Sequence, residues 1–343
     1  MIDKEVRSVC VGVVGCGYWG PKLIRNFQTI PGSEMRGVAD LRQDRLEHIR
    51  GLYPAIKTTT SYEELLDSPI EAVAIATPVS RHFAMARQAL LHNKHVLVEK
   101  PLTQSSKDAE ALIALAEERQ RVLMVGHTFE YNPAVEYLKD YIARGDLGHV
   151  YYVNASRVNL GIFQKDINVI WDLAPHDVSI LLYILGLKPD KVSARGAAYV
   201  QPNIEDVAYV TLNFPTGIMA DVRVSWLDPC KIRRITVVGS KKMIVYDDVE
   251  PTEKIRIYDK GVDAPPYSDT MEQFRLSYRY GDITTPAISN AEPLAQECAH
   301  FLDCIRNGKE ARSSGRVGLQ VVKILEGAQR SLKSGGAVQE ITW

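Results

Sequence analysis

Three groups of residues have the types and spacing to do chemistry, and they lie far apart in the chain. Gly15, Gly17 and Gly20 form a G-x-G-x-x-G loop between the apolar run 11–14 and a helical pattern. In that setting the first glycine permits a tight strand-to-helix turn, the second lets backbone approach a pyrophosphate, and the third lets helix pack closely on strand. The phosphates then meet the positive N-terminus of the helix. Asp40, twenty residues beyond Gly20, ends the next apolar run and is placed to hold ribose hydroxyls. A carboxylate there repels a 2′-phosphate, so NAD is expected rather than NADP, although Arg42 and Arg45 offset part of that repulsion.

The second group is Glu99-Lys100-Pro101, at the end of a predicted strand over 95–99. Strand ends of this kind are where sites on parallel sheets are built. A lysine near the nicotinamide end of a dinucleotide could orient a substrate hydroxyl or assist its deprotonation; the competing reading is an ordinary loop lysine. The third group is Trp171-Asp172-Leu173-Ala174-Pro175-His176-Asp177. Pro175 suits the first turn of a helix. Asp172 and His176, four apart, share a face if the turn is already helical. Histidine titrates near neutrality and suits movement of a hydroxyl proton. Against this stands a plainer reading, with Asp172 as a helix cap and His176 as a satisfied core residue. An Asp/His pair can also bind metal, but no third ligand is evident and none is expected.

The elements that must position these groups follow two grammars. Up to about residue 126, short apolar strands (71–76, 95–99, 122–125) alternate with helices (44–52, 82–91, 107–119), and Ser61-Tyr62-Glu63-Glu64 opens another helix as a capping box. That alternation predicts a doubly wound parallel Rossmann sheet with right-handed crossovers, over 1–126. Beyond it come helices over 133–144 and about 173–185. Longer alternating strands lie over 150–158, 207–214 and 218–226, and a hairpin joins 234–238 to 243–246. Period-two patterns with short turns imply antiparallel pairing with one buried face. The expectation is an α/β chain whose C-terminal domain, 127–343, is α+β with a large, open, mostly antiparallel sheet for substrate and oligomerisation. Helices over 294–307 and 318–334 end it. The uncovered sheet face points to a homo-oligomer, dimer or tetramer.

The 343 residues carry 45% hydrophobic and 24% charged side chains and a net charge of −1. With no basic run, nucleic acid is a poor partner. The five cysteines are odd in number and form no C-x-x-C, so neither a disulfide framework nor a zinc site is indicated. Cys16 reads as a small buried filler. No stretch approaches the roughly 18 apolar residues of a membrane span, and no leader pattern is evident, so the cytoplasm is the expected compartment.

Taken in order, Gly15-Cys16-Gly17-Tyr18-Trp19-Gly20, Ala76-Thr77-Pro78-Val79-Ser80-Arg81-His82, Glu99-Lys100-Pro101 and Asp172 with His176 resemble the Gfo/Idh/MocA oxidoreductase family. The likeness runs through the hairpins, the segment 301–308 and the final helix. It implies Lys100 and His176 as a catalytic pair, with Asp172 positioning substrate or histidine. It also implies cofactor contacts along the loop with Tyr18 and Trp19, and at Thr77, Pro78, His82 and Glu99; the Lys100–Pro101 bond is often cis in relatives. The segment 126–133 resembles the family's linker into the second domain, but Phe129, Glu130 and Tyr131 stand where many relatives carry arginine. The stretch 159–172 resembles the nucleotide-sugar branch, which oxidises C3 of UDP-N-acetylglucosamine or its uronic acid. By that analogy Trp171 would stack on a sugar face, and Arg157 or Lys165 would meet a diphosphate. The expected activity is NAD-dependent oxidation of a secondary alcohol of a sugar or nucleotide sugar. The alternatives are an inositol or free-sugar dehydrogenase, a ketoreductase, and a non-catalytic NAD-binding regulator.

Overall fold

The computed structural model describes residues 7–263 and 277–343. Residues 1–6, part of the stretch on which the expectation about a leader rests, lie outside them. The chain divides into two compact units, Met1–Tyr131 with Ala291–Lys323, and Asn132–Asn290 with Ile324–Trp343.

The first unit is built on six strands: β1 (Val9–Val14), β2 (Ser33–Ala39), β3 (Lys57–Thr59), β4 (Ala72–Ile75), β5 (His95–Glu99) and β6 (Leu123–Gly126). Their order is β3-β2-β1-β4-β5-β6, and every pairing is parallel. Buried Val, Ala and Ile fill β1 and β4 almost without interruption, as parallel strands covered on both faces require. The helices between them are α1 (Gly20–Thr29), α2 (Gln43–Leu52), α3 (Tyr62–Asp67), α4 (His82–Leu91) and α5 (Ser106–Glu118). Ser61 caps α3 by accepting from the Glu64 amide at 3.2 Å, as its capping-box pattern predicts. Beyond β6, Thr128–Tyr131 forms a 3-10 turn.

The second unit holds α6 (Pro133–Ala143), β7 (Val150–Val158) and α7 (Val169–Leu185). Next come β8 (Lys191–Ala197), β9 (Val207–Asn213), β10 (Met219–Ser225), β11 (Ile232–Gly239), β12 (Met243–Asp247), β13 (Ile255–Asp263) and β14 (Ser277–Thr284). Two helices, α8 (Pro293–Asn307) and α9 (Gly315–Lys333), and a short β15 (Gln339–Glu340) complete the chain. Its nine-stranded sheet runs β14-β13-β12-β11-β7-β10-β9-β8-β15 and is antiparallel except where β7 meets β10. Alternation sorts the two faces. Ala220, Val222 and Val224 of β10 and Ala208, Val210 and Leu212 of β9 point inward, while Met219 and Tyr209 stay exposed.

Two expectations need correction. The second domain is not the single stretch 127–343, because α8 returns to the first unit. Leu294, Cys298, Phe301 and Leu302 form its apolar stripe and join Val9, Val11, Leu23 and Phe27 in one core, with the Phe27 and Phe301 rings edge-on at 6.4 Å. The other correction concerns α7, which begins four residues before the predicted start. Asn168 is its cap, accepting from the Trp171 amide at 3.3 Å. Asp172 is therefore helical rather than a cap, and Pro175 lies inside the helix, past its first turn.

Candidate functional site

Backbone geometry at the glycine loop explains why two of its three glycines carry no side chain. Gly15 has φ of +92°, and a Cβ there would come within 2.5 Å of the Ala76 carbonyl oxygen, so no side chain fits the turn. A Cβ on Gly20 would lie 1.9 Å from the Gly15 carbonyl oxygen, which makes this the close contact of α1 with the loop. At Gly17 nothing stands within 4 Å, leaving open space on the side where a phosphate can meet bare backbone. The first turn of α1 has no acidic residue and no side-chain cap. Pro21 has no N–H, and Lys22 and Leu23 donate theirs to the Trp19 carbonyl at 3.0 and 3.1 Å, so the Gly20 N–H is the one that turn leaves to meet an anion. Lys22, one turn in, holds its ammonium 3.6 Å from the centre of the Tyr18 ring and 4.5 Å from that of Trp19.

Asp40 follows β2 and reaches back to this loop. Its Oδ2 accepts from the Cys16 amide at 2.5 Å and its Oδ1 from the Arg42 amide at 2.8 Å. A carboxylate has about four lone-pair sites, so two backbone bonds fix its place and leave capacity for ribose hydroxyls. Burial, then the Asp40 charge, pushes the Cys16 thiol up to about 12, which fits an inert filler. The Arg42 guanidinium bonds Asp44 at 3.1 and 2.6 Å. It is thereby turned toward a carboxylate of its own. The loop, the open face at Gly17 and Asp40 together fit NAD.

β1, β4 and β5 end in register, Val14 beside Ile75 and Ile75 beside Val98, so the glycine loop, Thr77-Pro78 and Glu99-Lys100 leave one edge of the sheet. The Lys100–Pro101 bond is cis. Lys100 donates its backbone N–H to Glu99 Oε2 at 3.3 Å. Burial pushes the Glu99 carboxyl up to about 7, against the opposing pull of Lys100 and Lys22. His127, fully buried after β6, is held down to about 3 by burial and by the Lys100 charge. His82 departs from its expected role. It is buried, with Nδ1 2.8 Å from the Pro101 carbonyl and Nε2 2.9 Å from that of Thr77. Its ring ties two backbone turns together and is not offered to a ligand.

In the second unit, Asp172 and His176 lie one turn apart on α7, as their spacing requires. Asp172 accepts from Trp226 Nε1 at 2.9 Å. Trp226, buried just beyond β10, is a partner that sequence reasoning passed over, because an aromatic at a strand end reads as core. Two expected substrate contacts are corrected by packing. Trp171 is buried, its Nε1 donating to Gln329 at 3.2 Å, so its ring is not free to cover a sugar. Arg157 is buried too, its Nε and Nη2 on the Asp177 carboxylate at 2.8 and 3.1 Å. Such a bidentate pair neutralises the guanidinium within the fold. Lys165 stays exposed in the loop before α7.

Comparison with known proteins finds one family match inside each unit. Residues 9–127 match the family described as "Oxidoreductase family, NAD-binding Rossmann fold", and residues 135–245 match the "GFO/IDH/MocA C-terminal domain". UDP-N-acetylglucosamine 3-dehydrogenase of Acidithiobacillus ferrooxidans is 29% identical, over 91% of this chain and 93% of its own. scyllo-Inositol 2-dehydrogenase (NAD(+)) of Bacillus subtilis is 27% identical, over 90% of this chain and 88% of its own. The crystal structure of UDP-N-acetylglucosamine 3-dehydrogenase GnnA from Acidithiobacillus ferrooxidans superposes with a TM-score of 0.78 at 26% identity, covering 95% of this chain and 98% of that one. No helix among the described residues is long and apolar enough to cross a membrane.

Proposed function

The chain belongs to the Gfo/Idh/MocA family of NAD-binding oxidoreductases, and from that premise we propose that it oxidises a secondary alcohol of a nucleotide sugar, with C3 of UDP-N-acetylglucosamine or its uronic acid as the substrate position. The observation that carries the reading is the common edge off which the glycine loop, Thr77-Pro78 and Glu99-Lys100 project. It sets a lysine beside the place a dinucleotide must occupy. The likeness to a UDP-N-acetylglucosamine 3-dehydrogenase in sequence and in structure supports the nucleotide-sugar class. The inositol dehydrogenase likeness supports the second reading, oxidation of a cyclic polyol.

Gly15, Gly17, Gly20 and Asp40 would hold the cofactor, with Tyr18 and Trp19 along the loop and Thr77, Pro78, Glu99 and Lys100 toward its nicotinamide end. NAD, when bound, supplies the hydride acceptor. The ammonium of Lys100 donates a hydrogen bond to the substrate hydroxyl and fixes its oxygen. The imidazole of His176 takes the hydroxyl proton as the carbonyl forms. Asp172, held by Trp226, lies a turn away and favours the imidazolium that results. The pairing of Lys100 with His176 is carried over from the family resemblance. A second copy of the chain is the proposed partner of the sheet's uncovered face, giving a dimer or tetramer.

The test is absorbance at 340 nm with purified protein, NAD and, side by side, UDP-N-acetylglucosamine, its uronic acid, myo-inositol and glucose. A 2-oxoglutarate recycling control exposes turnover hidden by retained NADH. Signal confined to a UDP-sugar supports the proposal. Signal with inositol or glucose alone replaces it with the polyol reading, and silence despite NAD binding brings forward the reductase or regulator.

A further inference from the structure

Behind Lys100 the first unit buries more ionisable groups than the proposed chemistry uses. Glu297 of α8 is 1% exposed, and its Oε2 accepts from the Thr128 hydroxyl at 2.9 Å. Thr128 opens the 3-10 turn that follows β6, and β6 ends on Gly126, the register partner of Glu99. A Cβ on Gly126 would lie 3.2 Å from Glu99 Oε2, so the Glu99 carboxyl lies over that glycine. Glu130, on the same turn, is also 1% exposed. Glu99 and Glu130, from two other elements, thus lie near enough for their charges to act on the buried Glu297 carboxyl. Among the described residues, Glu297 Oε1 and both ring nitrogens of His127 are buried without a hydrogen-bond partner. Buried polar atoms in native proteins are seldom left so, and an un-ionised acid facing a carboxylate is the economical way to satisfy one.

The charge balance decides which carboxyl keeps its proton. Burial, then the neighbouring Glu99 and Glu130 charges, raises Glu297 well above the ordinary range, and only the Thr128 hydroxyl opposes it. Glu99 has two cations, Lys100 and Lys22, acting to lower it. Tyr131 is raised by burial and by both Glu297 and Glu130, and Cys298 by burial and by Glu297 and Glu99, so neither brings a positive charge. His127 is held neutral. Of the two carboxyls, Glu99 ionises first and Glu297 stays an acid.

We propose that Glu297 is a positioning residue for the end of β5: as an un-ionised acid it gives its Oε1 proton in a hydrogen bond to the Glu99 carboxylate, and so holds that carboxylate, and the Lys100 backbone bonded to it, in place. The two carboxyls share one proton at working pH, and no bond to substrate is involved. This inference rests on the reading of Lys100 as catalytic.

The test follows glutamate side-chain carboxyls by 13C NMR in full-length, selectively labelled protein between pH 5 and 9, bounds set about two units either side of neutrality. The Glu99 signal is identified by its loss in Glu99→Gln. In the wild type, Glu99 titrates near 7 and Glu297 keeps the shift of an acid. In Glu297→Gln the amide still donates, so the Glu99 midpoint stays in place. In Glu297→Leu the donor is gone and the midpoint rises by about one pH unit, the scale of a hydrogen bond to a charged group. The acid limb of kcat/KM moves with it, which a merely structural role would not produce. A Glu99 midpoint that falls in Glu297→Gln, or stays put in Glu297→Leu, overturns the proposal. Should Glu297→Leu fail to fold, the wild-type titration still decides, because a Glu297 that ionises before Glu99 also overturns it. The NMR arm needs no substrate, so absence of turnover would count against the proposed function while leaving the carboxyl pair decided on its own data.

Discussion

Lys100 and His176 carry the sharpest residue-level prediction, because proton handling by a positioned side chain contributes a defined factor. Lys100→Ala and His176→Ala should each lower kcat by at least ~100-fold, the low end for general acid–base groups, while NAD still binds by fluorescence titration. A variant that keeps near wild-type kcat removes that residue from the mechanism. Asp40 governs a different quantity. Its carboxylate is fixed by the Cys16 and Arg42 amides, and Arg42 is already paired with Asp44, which leaves Arg45 as the nearby cation for a 2′-phosphate to meet. Asp40→Ala should weaken NAD binding and narrow the preference over NADP; an unchanged ratio of kcat/KM for the two cofactors would mean that Asp40 does not touch the ribose. Residues of this kind were legible because glycines at fixed offsets and an acid at a strand end are backbone requirements written into sequence. Arg157, Trp171 and His82 were not, because residue type gives no sign of burial. An arginine looks the same whether it faces a diphosphate or a buried Asp177.

At the scale of elements, that Arg157–Asp177 pair is a joint between β7 and α7. Both side chains are almost wholly buried, so breaking the pair strands a charge inside the fold, which typically costs 3–5 kcal/mol. Asp177→Ala should therefore destabilise the protein by about 4 kcal/mol in urea unfolding, whereas the double change Arg157→Met with Asp177→Leu should cost less than either single change. A double variant as unstable as the sum of the singles would show that the two side chains act separately. Elements with strong local signals were readable to within a few residues. His82–Leu91, His95–Glu99 and Val150–Val158 fall where the patterns placed them. The strands that escaped were β3, β8, β13, β14 and β15, and for three of them the cause is plain, β3 being only three residues long. β14 buries neither face, so it has no apolar alternation to read, and β15 is two residues long. The start of α7 escaped for another reason, since Asn168 follows a polar loop and Pro175 imitates a first turn. The return of α8 to the first unit is a long-range packing choice, made by Leu294, Cys298, Phe301 and Leu302 against a core that local pattern does not display.

For the whole molecule, acid tolerance and assembly follow from what is buried and what is left bare. Burial holds His127 at about 3, far below the 6.5 of an unfolded histidine. Between those values the unfolded chain binds a proton that the folded chain refuses, so the stability is full above pH 6.5 and is lost as pH falls toward 3. At pH 5 the loss from this one residue is ~2 kcal/mol. His95, held at about 4 chiefly by burial, acts in the same direction. Glu99, raised to about 7, acts oppositely, its contribution present in acid and lost as pH rises through 7. Comparing melting temperatures of wild type and His127→Gln at pH 5 and 7.5 isolates the histidine term, and the variant should lose less on acidification; equal losses would mean that His127 is charged in the folded protein. The bare surface lies on the second unit's sheet. Tyr152 and Met219 are register partners on neighbouring strands, each 45% exposed, and Tyr209 on the next strand is 55% exposed. Exposed aromatics and methionine on a broad, twisted sheet are the composition of a protein interface, and about 800 Å² per copy suffices for a stable pair. Light scattering at micromolar concentration should give the mass of a dimer or tetramer. Tyr152→Glu with Tyr209→Glu should lower that mass while leaving NAD binding to the first unit intact, since a carboxylate in the centre of a buried apolar patch costs more than the patch contributes. A wild type that scatters as a monomer would leave that sheet face without a second copy to cover it.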